Sequence, residues 1–209
     1  MVFELPKLYP VTDRRLSGLS HAAQVACLSE GGARVVQLRE KHLSPREFYD
    51  EAKDALVVAR AAGVRLIIND RADIALALRA DGVHLGQDDL GPAAARRLLG
   101  EDAIIGFSTH NVEQAREAAR LPVSYVAIGP VFATSTKENP DPVVGLDGLR
   151  RVRDVTAPLP LVAIGGISPA NARQALEAGA DAIAIVGALL AFADPAEITR
   201  RTRSFLANL

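Results

Sequence analysis

Two hundred and nine residues, 49% apolar and 23% charged, describe a globular chain able to bury one sizeable core, with no Pro/Gly/Ser-rich linker to divide it, so a single domain over residues 1–209 is expected. Twenty-four Lys+Arg against 25 Asp+Glu leave a net charge of −1, which excludes the overall basic field that would hold nucleic acid. The single Cys27 can make neither an internal disulfide nor a thiolate metal cage and suits a reducing cytoplasm, while MVFELPKLYP has no signal-peptide pattern and no run of about 18 apolar residues announces a membrane span.

In chain order, eight short β-rich runs appear: KLYPVT, RVVQLR, RLIIND, DGVHLG, AIIGFS, YVAIGP, LPLVAIGG and DAIAIVG. Between them lie segments of helical composition, among them SPREFYDEAKDALVVARAAG, NVEQAREAARL and SPANARQALEAGA, each opened by a residue able to cap a helix. Gly63, Gly179 and one of Gly31 or Gly32 stand where these helices should stop. Strands apolar on both faces, alternating with helices, predict a parallel sheet covered by helices. Eight units predict an α/β fold closed into a compact (β/α)8 TIM barrel at about 25 residues per unit. The competing open doubly wound sheet usually carries a glycine fingerprint after its first strand, and YPVTDRRLSG has none.

A barrel carries its chemistry at the C-terminal ends of its strands. The second run ends QLREK, in which Gln37, Arg39 and Lys41 alternate and so share one face of an extended segment. Two cations pointing together call for an anion such as phosphate or diphosphate, although a solvated strand end is the plainer reading. The third run closes on Asn69 and Asp70, and the fourth leads into Asp88 and Asp89. Asp70 and Asp89, with Asp88 in support, suit Mg2+, which takes one or two carboxylates and completes its shell with water and phosphate oxygens; alternatively Asp88 or Asp89 caps the helix that holds Pro92. Ser108 at the end of the fifth run can donate to a phosphate oxygen. His110 is either an acid/base or the lead into a helix capped by Asn111, and His84 reads as a packed, hydrogen-bonded histidine rather than a catalyst.

The longest loop, GPVFATSTKENPDPVVGLDG, gathers Thr134, Ser135, Thr136 and Lys137 and has the donors and the length of a lid. The glycines that end LVAIGGIS and IAIVGAL fall after the seventh and eighth runs, where barrels often hold a phosphate on backbone N–H groups. They predict a second anion site.

QLREK, INDRADIALALRADGVHLGQDD, GFSTHN, GPVFATSTKENPDP and AIGGIS, in this order and spacing, resemble the thiamine-phosphate synthase family over essentially the whole chain. The resemblance implies a transferase that couples 4-amino-5-hydroxymethyl-2-methylpyrimidine diphosphate to a (carboxy)thiazole phosphate, releasing pyrophosphate and forming thiamine phosphate. It implies pyrimidine diphosphate contacts at Gln37, Leu38, Arg39, Glu40, Lys41, Asn69, Ser108 and Lys137, with Arg39, Lys41, Ser108 and Lys137 acting on the departing charge. It further implies Mg2+ on Asp70 and Asp89, and a thiazole phosphate site of Thr134, Ser135, Thr136, Gly166, Val186 and Gly187. Where the family commonly has Ser, this chain has Gly187: the loss is small if the phosphate is held by the backbone N–H, and thiazole phosphate affinity is weakened if the hydroxyl contributes. The nearest rival is a thiazole tautomerase of the same superfamily, which the Asn69-Asp70 and Asp88-Asp89 pairs disfavour; a thiamine-phosphate sensor without turnover is the rival outside enzymology. Partners are therefore the two small-molecule substrates, not nucleic acid or membrane, with a homo-oligomer left open.

Overall fold

A computed structural model describes residues 4–134 and 141–209. Its strands are β1 (Leu8–Pro10), β2 (Val35–Leu38), β3 (Arg65–Asn69), β4 (Gly82–Leu85), β5 (Ile104–Thr109), β6 (Tyr125–Ile128), β7 (Leu161–Ile164) and β8 (Ala182–Ile185). All pairings are parallel, in the order β1-β8-β7-β6-β5-β4-β3-β2. The ring closes just past β1, where Val11 bridges Gln37 and the Thr12 N–H donates to the Gln37 carbonyl at 2.8 Å. The expected barrel is the observed fold; seven of the eight runs contain a whole strand, and AIIGFS contains β5 up to its last residue, Thr109.

The helices are α1 (Arg14–Ser17), α2 (His21–Glu30), α3 (Pro45–Ala61), α4 (Ala72–Leu78), α5 (Pro92–Leu99), α6 (Val112–Ala118), α7 (Gly145–Thr156), α8 (Ala172–Glu177), α9 (Gly187–Leu190) and α10 (Pro195–Ala207). Ser44 starts α3 through a reciprocal capping box with Glu47, and the Asn111 side chain accepts from the Gln114 N–H at 2.9 Å to start α6. Ser168 does not open α8; Asn171 Oδ1 accepts the Ser168 N–H at 2.7 Å, folding the intervening residues into a turn, and the helix begins at Ala172. Gly32, not Gly31, takes the left-handed conformation after α2, at φ 104°.

Two apolar layers follow from the period-two pattern of the strands. Val36, Leu38, Leu66, Ile68, Val83 and Val126 face outward and pack under the helices. Tyr9, Val35, Ile67, Ile104, Tyr125, Val162 and Ala182 face inward and fill the barrel. The Tyr125 ring fits because its register partner on the adjacent β5 is Gly106, where a Cβ would stand 2.1 Å from Tyr125 Cζ.

Candidate active site

A cavity of about 790 Å3 opens at the C-terminal ends of the strands. Gln37, Arg39 and Lys41 line it from β2 and its loop, Asn69 and Asp70 from the end of β3 and the residue beyond, Asp88 and Asp89 from the loop after β4, and Ser108 and His110 from β5 and the residue beyond. Thr134, Gly166, Val186 and Gly187 complete the opposite rim. Two residues of the expected set point elsewhere. The Leu38 side chain is fully buried in the layer between sheet and helices, because period two turns it away from Gln37. The Glu40 carboxylate turns into its own loop, accepting the N–H groups of Lys41 at 2.8 Å and His42 at 2.7 Å. Ser135, Thr136 and Lys137 lie outside the described residues.

Burial alone would raise the Glu40 carboxyl, but the N–H donors of His42 and Lys41, with His21 Nε2 at 3.4 Å and the Leu43 N–H, outweigh it and hold the group below the usual carboxylate range. This anchored loop carries Arg39 and Lys41. Each of the two cations has a carboxylate partner within the protein: Arg39 Nη1 lies 3.4 Å from Asp13 Oδ2, and the Lys41 ammonium sits on the Asp70 carboxylate. Asp13 also caps α1, its Oδ1 accepting from the N–H groups of Arg15 at 2.9 Å and Leu16 at 3.1 Å.

Asp70 holds its position in a left-handed backbone conformation at φ 61°, with its N–H donated to the His84 carbonyl at 2.8 Å. Its side chain meets that of Asp89, which also accepts the Gly86 N–H at 2.7 Å. Burial and the Asp70 carboxylate together raise the Asp89 pKa. Neither Asp88 nor Asp89 caps α5, which starts after Gly91 without a side-chain cap. A divalent cation would remove the strain between two such carboxylates, so the donor set fits one. Among the described residues no cluster of three or more metal-ligating side chains exists, and two carboxylates leave the rest of a Mg2+ shell to water and substrate oxygens.

His84 is indeed packed and hydrogen-bonded, yet it also lines the cavity. Its Nδ1 lies 2.9 Å from the Tyr125 hydroxyl and its Nε2 lies 2.8 Å from Ser108 Oγ. Burial pushes its pKa down to about 4, so the ring is neutral at pH 7. His110 Nδ1 lies 2.8 Å from the Gly129 carbonyl, which assigns that nitrogen the proton. On the far rim the Gly166 backbone, at φ 64°, comes so near the loop after β6 that a Cβ would stand 2.3 Å from the Ala133 carbonyl oxygen. Gly187 opens α9, in which the Leu189 and Leu190 N–H groups donate to the Val186 carbonyl at 3.1 and 3.0 Å, while those of Gly187 and Ala188 come before the helical ladder.

Sequence reading missed Tyr9 and Tyr125, both of which line the cavity floor. The signal was available: Tyr9 is in step with Val11, and Tyr125 with Ala127, on inward-facing positions where a phenol brings a polar tip into an apolar barrel.

The profile of the family described as thiamine monophosphate synthase matches residues 8–189. A thiamine-phosphate synthase of Chloroflexus aurantiacus is 48% identical over 202 residues, covering 96% of this chain and 93% of the relative. One of Albidiferax ferrireducens is 46% identical over 201 residues, covering 96% and 91%. Among solved structures, a thiamine phosphate pyrophosphorylase of Pyrococcus furiosus superposes with a TM-score of 0.82 at 36% identity, over 96% of this chain and 95% of that one.

Proposed function

The chain belongs to the thiamine monophosphate synthase family, and from that premise we propose that it is a transferase coupling an aminopyrimidine methyl diphosphate to a thiazole phosphate, with release of pyrophosphate and formation of thiamine phosphate. The observation that carries this reading is one cavity that combines Arg39 and Lys41 with the Asp70–Asp89 carboxylate pair on one side and the Gly166 and Gly187 backbone on the other. Those are two anion-holding regions of different chemistry, as a diphosphate and a monophosphate substrate require.

In the reaction the CH2–O bond of the pyrimidine breaks, its electron pair leaving with the diphosphate. The thiazole nitrogen then supplies its lone pair to the exocyclic carbon. No proton has to be removed to make the nucleophile, which accords with the lack of any Ser-His-Asp arrangement among the described cavity residues. Arg39 and Lys41 stabilise the departing charge by exchanging their partners Asp13 and Asp70 for phosphate oxygens. Gln37 and Asn69 orient the pyrimidine, and Ser108 donates to the leaving group. Asp70 and Asp89 would hold Mg2+, which supplies charge neutralisation to the diphosphate when bound. Gly166, Val186 and Gly187 receive the thiazole phosphate through backbone N–H groups, together with Thr134; Ser135, Thr136 and Lys137 belong to the same proposal by resemblance. The reduced, buried Cys27 suits a cytoplasmic location, and among the described residues no helix is long and apolar enough to cross a membrane.

The test is pyrophosphate release by the whole protein supplied with both heterocycles and Mg2+. Release that requires both substrates and stops on chelation is the expected result. Isomerisation of the thiazole without coupling, or binding of thiamine phosphate without turnover, would overturn the assignment.

A further inference from the structure

Five side chains from five strands form an unbroken hydrogen-bonded chain across the floor of the cavity. Gln37 Nε2 donates to the Tyr9 hydroxyl at 3.3 Å, and the hydroxyls of Tyr9 and Tyr125 lie 2.7 Å apart. Tyr125 reaches His84 Nδ1 at 2.9 Å, and His84 Nε2 reaches Ser108 Oγ at 2.8 Å. The first four members are buried, none more than 7% exposed. Only Ser108, at the end, is partly open to the cavity. The rings are also held by shape: Tyr9 meets Tyr125 edge-on with centroids 5.7 Å apart, and His84 stacks on Tyr125 at 5.6 Å.

Counting protons decides which way the chain runs. Each hydroxyl has one proton to give, and a neutral imidazole has one N–H and one bare nitrogen. The Gln37 amide donates into Tyr9, so Tyr9 gives its own proton to Tyr125, and Tyr125 gives its proton to His84. Relative acidity selects the same sense. A phenol is a stronger acid than an alkyl hydroxyl, so the bare imidazole nitrogen takes the tyrosine proton and the ring N–H goes to the serine. The Ser108 oxygen is then occupied as an acceptor on its His84 side, and its own proton is left for the cavity.

We propose that Tyr9, Tyr125 and His84 are positioning residues, a one-way hydrogen-bond chain that fixes Ser108 as a donor toward the cavity. On the coupling reading above, on which this rests, the acceptor is an oxygen of the diphosphate group that gains charge as its bond to carbon breaks. The chain makes that donor preorganised, so no reorientation opposes the step. Gly106 belongs to the device, because a Cβ there would stand 2.1 Å from Tyr125 Cζ and 2.5 Å from His84 Nδ1.

Nitrogen NMR of the whole protein with labelled histidine, at pH 7 and without substrates, reads the polarity directly, with His84→Gln identifying the signals. A protonated Nε2 and a bare Nδ1 on His84 are expected. A protonated Nδ1, or a doubly protonated ring, overturns the proposal, since Ser108 would then give its proton to the ring or lose its fixed sense. Kinetics supply the second arm. Tyr125→Phe keeps the ring and should lower kcat by about tenfold, the worth of one hydrogen bond, with the thiazole KM unchanged. Combined with Ser108→Ala it should cost nothing beyond Ser108→Ala alone, because the tyrosine acts through the serine; losses that multiply would refute that. Should Tyr125→Phe fail to fold, Tyr9→Phe breaks the chain one link earlier and is read in the same way. The tautomer measurement needs no turnover. A protein with the expected tautomer and no coupling activity would therefore refute the functional reading and leave the chain standing, while coupling with the reversed tautomer would do the opposite.

Discussion

The Lys41 ammonium rests on the Asp70 carboxylate, whose side chain in turn meets that of Asp89. One cation and two anions, from the ends of three successive strands, thus share a single corner of the cavity mouth. Lys41 relieves part of the repulsion between the carboxylates, and burial together with Asp70 still leaves the Asp89 pKa raised.

A carboxyl whose folded pKa lies above its unfolded value binds its proton more tightly in the native state, so it weakens folding as pH rises through that raised value. That is an energetic penalty on the ionised form in the native state. Asp89→Asn removes it while keeping an acceptor for the Gly86 N–H, and should raise the melting temperature in chelator-treated buffer. The same substitution should lower coupling by about 10²–10³, by analogy with loss of one preorganised charge contact. Melting curves and pyrophosphate release check the two halves; a less stable protein with normal turnover would contradict both.

Asp13→Asn separates a structural from a functional role. Asparagine caps a helix as well as aspartate does, so α1 should keep its start and the melting temperature should stay within a few degrees. The ion pair with Arg39 is lost, and the guanidinium no longer has a fixed carboxylate to lean on. The KM for the pyrimidine diphosphate should change severalfold with the thiazole KM unaltered, as steady-state kinetics in each substrate would show.

Acid should destabilise the protein in a defined window. His84, pushed by burial from 6.5 to about 4, stays unprotonated in the native state while the unfolded chain takes up a proton. Stability is therefore lost as pH falls from about 6.5 to about 4, by roughly 3 kcal/mol at full extent. His21, also lowered chiefly by burial, adds in the same sense. Denaturant unfolding at several pH values should show a shallower decline for His84→Gln than for the parent; equal slopes would remove His84 from this account.

Gly106→Ala tests the packing of the barrel floor. The added methyl would overlap Tyr125 and His84, which are backed by buried side chains and cannot yield freely. A loss of about 1–3 kcal/mol in unfolding free energy is expected, with a marked fall in turnover as the hydroxyl chain is pushed apart. Denaturation midpoints and coupling assays on the same preparation measure both.

Much of the site was legible because strand periodicity and strand ends are local properties. Gln37, Arg39 and Lys41 were placed together by alternation alone, and all three line the cavity. Asp70 and Asp89 were paired by their position after adjacent strands, and their side chains do meet. The same alternation, applied strictly, would have turned Leu38 away, because a residue one step out of register faces the helices. The Glu40 role was not readable, since its partners are loop N–H groups whose directions arise only when the chain turns.

By itself the amino-acid order determined the number of strands, their parallel arrangement and which ends carry polar groups, because hydrophobic period and helix stops depend on near neighbours in the chain. Only the tertiary structure decided which charges neutralise one another and how Tyr9, Tyr125, His84 and Ser108 join. The physical reason is that closing the barrel brings inward-facing side chains from strands far apart in the chain within hydrogen-bonding distance, and no local pattern encodes who meets whom across the interior.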